Sequence, residues 1–257
     1  MIATGWTARR TGSLVERNAM IFRRSRTFVL SSVLEPVLYL LSIGIGVGAL
    51  VGKVPDVDVR YAVFVAPAIL ATTSMNAALN QTSFGVFSRI KMERTYDAIV
   101  STPLSATDIA LGEVVSAVVT GLLSSVGFVI VMLALGLVTS PGIILAIPAA
   151  LLIGYAFASA GLAVTTYLRD FADFQLIQLV MLPMYLFATT FYPLSTYPSW
   201  LRPAIEVLPL YQSIELVRGP ALGSFGWQLA IPVLYLAALG SIALAIASRR
   251  LARLLLP

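Results

Sequence analysis

The sequence predicts an all-α integral membrane protein, and three observations carry that reading. Hydrophobic residues make up 58% of the 257-residue chain and charged residues only 11%, against roughly 25% charged in an average soluble domain. Mean hydropathy is +0.91. The apolar residues fall in long runs and do not alternate with polar ones, which suits spanning helices of about 20 residues and argues against a β-barrel. A soluble fold of this size leaves too much surface wet to hide so much apolar area. Disorder needs the opposite composition.

The runs define six expected spans, at 27–51, 61–87, 109–138, 143–168, 174–191 and 227–248. The pieces between them are short, so residues 1–257 are expected to form one membrane domain. The charges are sided. Arg9, Arg10, Arg17, Arg23, Arg24 and Arg26 precede the first span, Arg89, Lys91 and Arg94 follow the second, Arg169 follows the fourth, and Arg249, Arg250 and Arg253 follow the sixth. Only Lys53, Arg60, Arg202 and Arg218 fall on the other side. The positive-inside rule then puts both termini in the cytoplasm. The net charge of +5 is read as an orientation device and not as a nucleic-acid footprint. The first run is too long for a signal-peptide core and lacks an A-x-A-like site, so it is expected to be retained.

Each element has its own justification. Residues 1–26 pair Leu14 with Ile21 and Val15 with Phe22 at heptad spacing among arginines, the pattern of a basic amphipathic helix lying in the interface. The first span carries Glu35-Pro36. A carboxylate in hydrocarbon is costly, so it faces either a structural partner, such as an N-terminal Arg, or a substrate pathway. Gly44, Gly48 and Gly52 form a small-residue stripe in this span, and Gly112, Ser116, Thr120 and Ser124, beside Ala117, Gly121 and Ser125, form another in the third. Such stripes let helix backbones approach closely.

The connection 89–104 is the longest on the cytoplasmic side. Met92, Tyr96 and Ile99 share one helical face there, among Arg89, Lys91, Glu93, Arg94 and Asp97. An apolar stripe with mixed charges fits a cytoplasmic protein partner better than an anionic leaflet. Thr102-Pro103 stops this helix, and Ser105 to Asp108 offer a cap for the third span. Residues 193–220 hold Pro193, Pro198, Pro203, Pro209 and Pro220 among many apolar residues. Two short helices at about 198–207 and 209–218, the second ending at Gly219, would make a re-entrant or interfacial hairpin on the outer side. Trp200 and Tyr211 are expected at headgroup level. Glu206, Glu215, Arg202 and Arg218 are expected to pair locally at the surface, with little gain in stability.

Catalytic sets are missing. The chain has no His and no Cys, which removes thiol nucleophiles, imidazole bases and Cys/His metal sites. The nearest approach to an ATP-binding loop runs from Val47 to Val54, and it lacks both the first Gly and the final Ser/Thr. Ser88 and Lys91 match a Ser/Lys dyad only in spacing, and Phe157 breaks a G-x-S-x-G around Ser159. No metal and no cofactor are expected in this chain, and an intramembrane enzyme is disfavoured.

Three stretches carry a resemblance. They are Leu34–Gly48 (LEPVLYLLSIGIGVG), Glu93–Ser105 (ERTYDAIVSTPLS) followed by Asp108 and Gly112-Glu113, and Leu208–Arg218 (LPLYQSIELVR). With six spans in this order, the chain resembles the membrane subunit of an ATP-binding cassette exporter of the type-2 permease class. Within that class it is similar to the nodulation lipo-oligosaccharide and daunorubicin-type drug exporter permeases. The resemblance implies two such subunits, as a homodimer or with a sister permease, in the plasma (inner) membrane. It implies two cytoplasmic ATPase subunits that bind ATP and Mg and dock on a coupling element comprising Arg89, Lys91, Met92, Glu93, Arg94, Tyr96, Asp97 and Ile99. It implies amphipathic substrates (lipid, glycolipid or drug) reaching a pathway for which Glu35 and Tyr39 are candidates, and an outer gate with Trp200, Glu206, Tyr211 and Glu215. The alternative, a secondary transporter without an ATPase, predicts more intramembrane ionisable residues and an internal repeat.

Overall fold

The computed structural model describes residues 26–54, 57–91 and 105–255. The expected amphipathic segment 1–26 lies outside the described residues except for Arg26. The first helix, α1, is Arg26–Leu41; it widens into a π turn at Ser42–Val47 and closes with Gly48–Val51. The glycine stripe explains the contact made there. A side-chain carbon on Gly44 would sit 3.3 Å from the Ala62 side chain, so the stripe packs within the chain at Gly44. Gly52 adopts φ +70° and turns the chain into a two-residue hairpin, β1 (Lys53–Val54) with β2 (Val59–Arg60), antiparallel with Lys53 opposite Arg60.

The centre of the molecule is α2, Tyr61–Lys91. It packs against α3 (Ala106–Ala134) and α4 (Ala146–Thr165), and α4 packs against α8 (Ala230–Leu255). Buried hydroxyls on α2 are satisfied by their own helix, Thr72 donating to Ala68 O and Thr73 to Ile69 O. Ser74 instead donates across to Ala150 O at 3.0 Å. Close approach is set by small residues. A side-chain carbon on Gly161 of α4 would sit 2.5 Å from Thr82 Oγ1. The small-residue stripe of α3 is buried, and Gly121 faces the Ser74 backbone carbonyl of α2. The expected cap of this helix is present as a reciprocal box: Asp108 N–H donates to Ser105 Oγ, and Ser105 N–H donates to the Asp108 carboxylate. Arg250 of α8 stacks on Tyr167, 3.9 Å from the ring centroid, and donates to Thr166 O.

Five helical segments are long and apolar enough to cross a membrane: Leu34–Val51, Tyr61–Lys91, Ala106–Ala134, Pro141–Thr165 and Trp227–Leu254. The fifth expected span, 174–191, holds a shorter helix than the sequence predicts. Its helix, α5, is Phe174–Phe187, 14 residues, preceded by a tight turn at Phe171–Asp173. It stops because Ala188 leaves helical geometry and Thr189 turns left-handed at φ +60°, a conformation that a β-branched residue resists. Backbone N–H groups of Arg169 and Asp170 donate to Asp173 at the start, and these bonds hold its carboxyl below the usual carboxylate range.

The Pro-rich hairpin also differs from expectation. Its helices are α6, Arg202–Glu206, and α7, Pro209–Ala221. Proline does open each one. The second runs through Gly219 and Pro220, and its stop is Gly223 at φ +84°. Ser224 N–H bonds Gly219 O and Gly223 N–H bonds Pro220 O, the two closing bonds of a Schellman motif. The expected surface ion pairs are largely replaced. Arg202 donates to the backbone carbonyls of Tyr197 and Ser195, and Arg218 is buried.

Candidate functional site

A cleft of about 790 Å³ opens between α1, α2 and α5. Glu35 and Tyr39 line it from α1, Asn76, Asn80, Gln81 and Ser83 from α2, and Gln178 and Tyr185 from α5. A narrower recess of about 190 Å³ shares Glu35, Tyr39, Asn76, Asn80 and Tyr185 and reaches Thr72 and Thr73. The cleft exists because α5 stands off from α2. Met184 is the one buried residue of α5, whereas Leu176, Leu179, Val180, Leu182 and Leu186 are exposed. The helix touches α2 at its ends. Phe171 and Phe174 pack on Phe84 and Phe87, with centroids 5.0–6.0 Å apart. Beyond the other end, Phe191 O accepts from Tyr61 Oη at 3.1 Å.

The polar lining on α2 follows from helical geometry. Thr72, Asn76 and Asn80 recur every fourth residue and so share one face. Glu35 is the single acidic lining residue, and no Lys or Arg lines either recess among the described residues. The result is a run of amides and hydroxyls that both donate and accept, one carboxylate, and an apolar rim including Leu79, Ile177 and Leu182. Such a site suits a molecule with a hydrogen-bonding head and an apolar body. The two expected pathway residues, Glu35 and Tyr39, thus meet in one cleft. The sequence pattern does not single out Asn76, Asn80, Gln178 or Tyr185. The signal for the first two is an i, i+4 amide pair inside an apolar span.

The expected coupling residues divide. Arg89 and Lys91 form the last turn of α2, so this helix continues into the stretch expected to start the connection. Lys91 is exposed. Arg89 turns into the bundle, where its Nη2 donates to Glu113 Oε2 of α3 at 2.6 Å. The side chains are 10% and 1% exposed. Met92, Glu93, Arg94, Tyr96, Asp97 and Ile99 lie outside the described residues.

The expected gate residues differ in exposure. Trp200 is 77% exposed, Glu206 is exposed, and Tyr211 and Glu215 are half-buried. Arg218, on the same helix as Tyr211 and Glu215, is fully packed. Its Nη2 donates to Thr189 O at 2.7 Å, its guanidinium lies 3.9 Å over the Phe64 ring, and Glu215 is 3.6 Å away. Burial lowers the Arg218 guanidinium to about 10 against the opposing pull of Glu215 and of Tyr211 and Tyr61. It therefore stays charged at neutral pH. Burial also pushes the Glu215 carboxyl up, and Arg218 opposes that shift. Tyr235 Oη of α8 donates to Val207 O at 2.7 Å, tying the hairpin to the last helix.

Known proteins match this sequence. The ABC-2 type transporter family model matches residues 9–222. Nodulation protein J of Rhizobium leguminosarum bv. viciae is 31% identical over 80% of this chain and 80% of its own length. The protein of the same name from Rhizobium leguminosarum bv. trifolii is 33% identical over 76% and 74%. A probable doxorubicin resistance ABC transporter permease protein, DrrC, of Mycobacterium tuberculosis is 23% identical over 82% and 77%. The chain is a multi-pass membrane transporter subunit and belongs to the ABC-2 type transporter family.

Proposed function

We propose that the chain is the membrane subunit of an exporter that moves an amphipathic substrate (lipid, glycolipid or drug) through the cleft between α1, α2 and α5. ATP and Mg are bound by separate cytoplasmic ATPase subunits, two per complex, which dock on the connection 89–104. A second permease copy or a sister permease completes the membrane part. Both termini face the cytoplasm, and α5 with residues 188–191 makes the fifth of six crossings of the plasma (inner) membrane. The observation that carries this reading is the polar face Thr72, Asn76 and Asn80, set in one cleft with Glu35 and Tyr39. A carboxylate such as Glu35 inside an apolar span is expensive unless it is paired or faces a cavity or pathway. Members of a family whose names include nodulation and doxorubicin resistance proteins give the substrate range its outline.

The test is a reconstitution with the ATPase that co-purifies with the chain. Proteoliposomes containing both should move an NBD-labelled lipid or doxorubicin only with ATP. Glu35→Gln should lower that rate about tenfold at unchanged insertion, the loss expected for one charge-assisted hydrogen bond. Equal losses of rate and of inserted protein would make Glu35 structural. Movement driven by an ion gradient without any ATPase would overturn the reading in favour of a secondary transporter.

A further inference from the structure

We infer that the buried Arg89–Glu113 pair is a positioning device: it ties α2 to α3 at the base of the connection 92–104, so that a push on that connection moves the two helices as one. The inference rests on the proposed ATPase docking. Arg89 lies two residues before the end of α2, and Glu113 lies two turns inside α3. These are the two helices from which residues 92–104 hang. A push on a segment held by two untied rods would displace each separately.

Further along, α2 and α3 approach closely where Gly121 faces the Ser74 carbonyl. Apolar and small-residue contact is not directional, so it resists separation better than sliding. A charge-assisted bond of 2.6 Å has a preferred direction and length and fixes register. Stability alone is a poor reason for it, because an apolar pair of similar volume is often as stable as a buried ion pair, whereas registry is a well-attested use. The tie also has somewhere to send its motion. From Arg89 to Tyr61, α2 runs about 42 Å at the ordinary helical rise. Along the way it carries the polar face of the cleft, and near its far end Phe64 lies under Arg218 of α7.

The chain contains no Cys, so Gln81→Cys, on the cleft lining, gives a single reporter. Its alkylation by a membrane-impermeant maleimide is followed in proteoliposomes holding the permease and its ATPase, with and without ATP, Mg and vanadate. In the reporter chain the nucleotide should change the rate at least about fivefold, the lower range of ordinary coupling factors. Adding Arg89→Met with Glu113→Leu should leave insertion and ATPase capture unchanged while the response falls below about twofold. The swapped pair, Arg89→Glu with Glu113→Arg, should restore most of it. A full response from the apolar pair, loss of ATPase capture in it, or a swapped pair that inserts but stays unresponsive would each overturn the inference. If the reporter chain itself captures no ATPase, the proposed function fails and the pair's role falls with it.

Discussion

Arg218 repeats, at the scale of one side chain, what the fold does with charge. It carries one of the few positive charges expected on the outer side, and it is spent on burial against Phe64 and Thr189. Removing it would leave the Thr189 carbonyl and Glu215 without their partner. Arg218→Ala should therefore cost about 2 kcal/mol, from a buried carbonyl left without its donor and a lost guanidinium–ring contact, read as a fall in the thermal unfolding midpoint in detergent. Thr189→Gly should act in the opposite sense. It keeps the carbonyl that Arg218 holds and relieves a left-handed β-branched backbone, a gain of about 1 kcal/mol. The sequence shows Arg218 and Glu215 one turn apart and nothing more. Burial is decided by Phe64, which only tertiary packing brings beneath the guanidinium.

Helices are where the sequence is most legible, because hydropathy over many residues averages out local detail. Helices long and apolar enough to cross a membrane coincide with five of the six expected spans, with shifted ends, and the Ser105–Asp108 cap is where the side-chain chemistry puts it. The early end of α5 has a clear cause. Apolar composition continues to Phe191, but composition does not register that Thr189 turns left-handed. Gly219 was the obvious stop for α7 by residue type, yet Gly223 supplies the positive φ. Packing at this scale gives two further expectations. Gly161→Val should destabilise by about 2 kcal/mol through overpacking against Thr82 and Leu79, visible as a lower unfolding midpoint. Ser105→Ala should cost about 1 kcal/mol by removing half of the capping box.

For the whole molecule, the sequence marks Glu35 with Tyr39 as pathway candidates and the connection after α2 as the candidate coupling element. The cleft that joins Glu35 to Asn76, Asn80 and Gln178 depends on how far α5 stands from α2, and no local pattern encodes that distance. Coupling is a property of the full complex. Tyr96→Asp or Ile99→Asp should leave insertion intact while ATP hydrolysis no longer produces transport, measured as ATP consumed per labelled lipid moved. Unchanged coupling in these variants would remove residues 92–104 from the docking assignment. The short α5 has a consequence for the bilayer itself. Its 14 residues rise about 21 Å, less than a hydrocarbon core of about 30 Å. Lipid beside such a helix relieves the hydrophobic mismatch by thinning. Where α5 borders the bilayer, that thinning would draw the water interfaces together, and a polar headgroup entering by the proposed route would have a shorter apolar distance to cross.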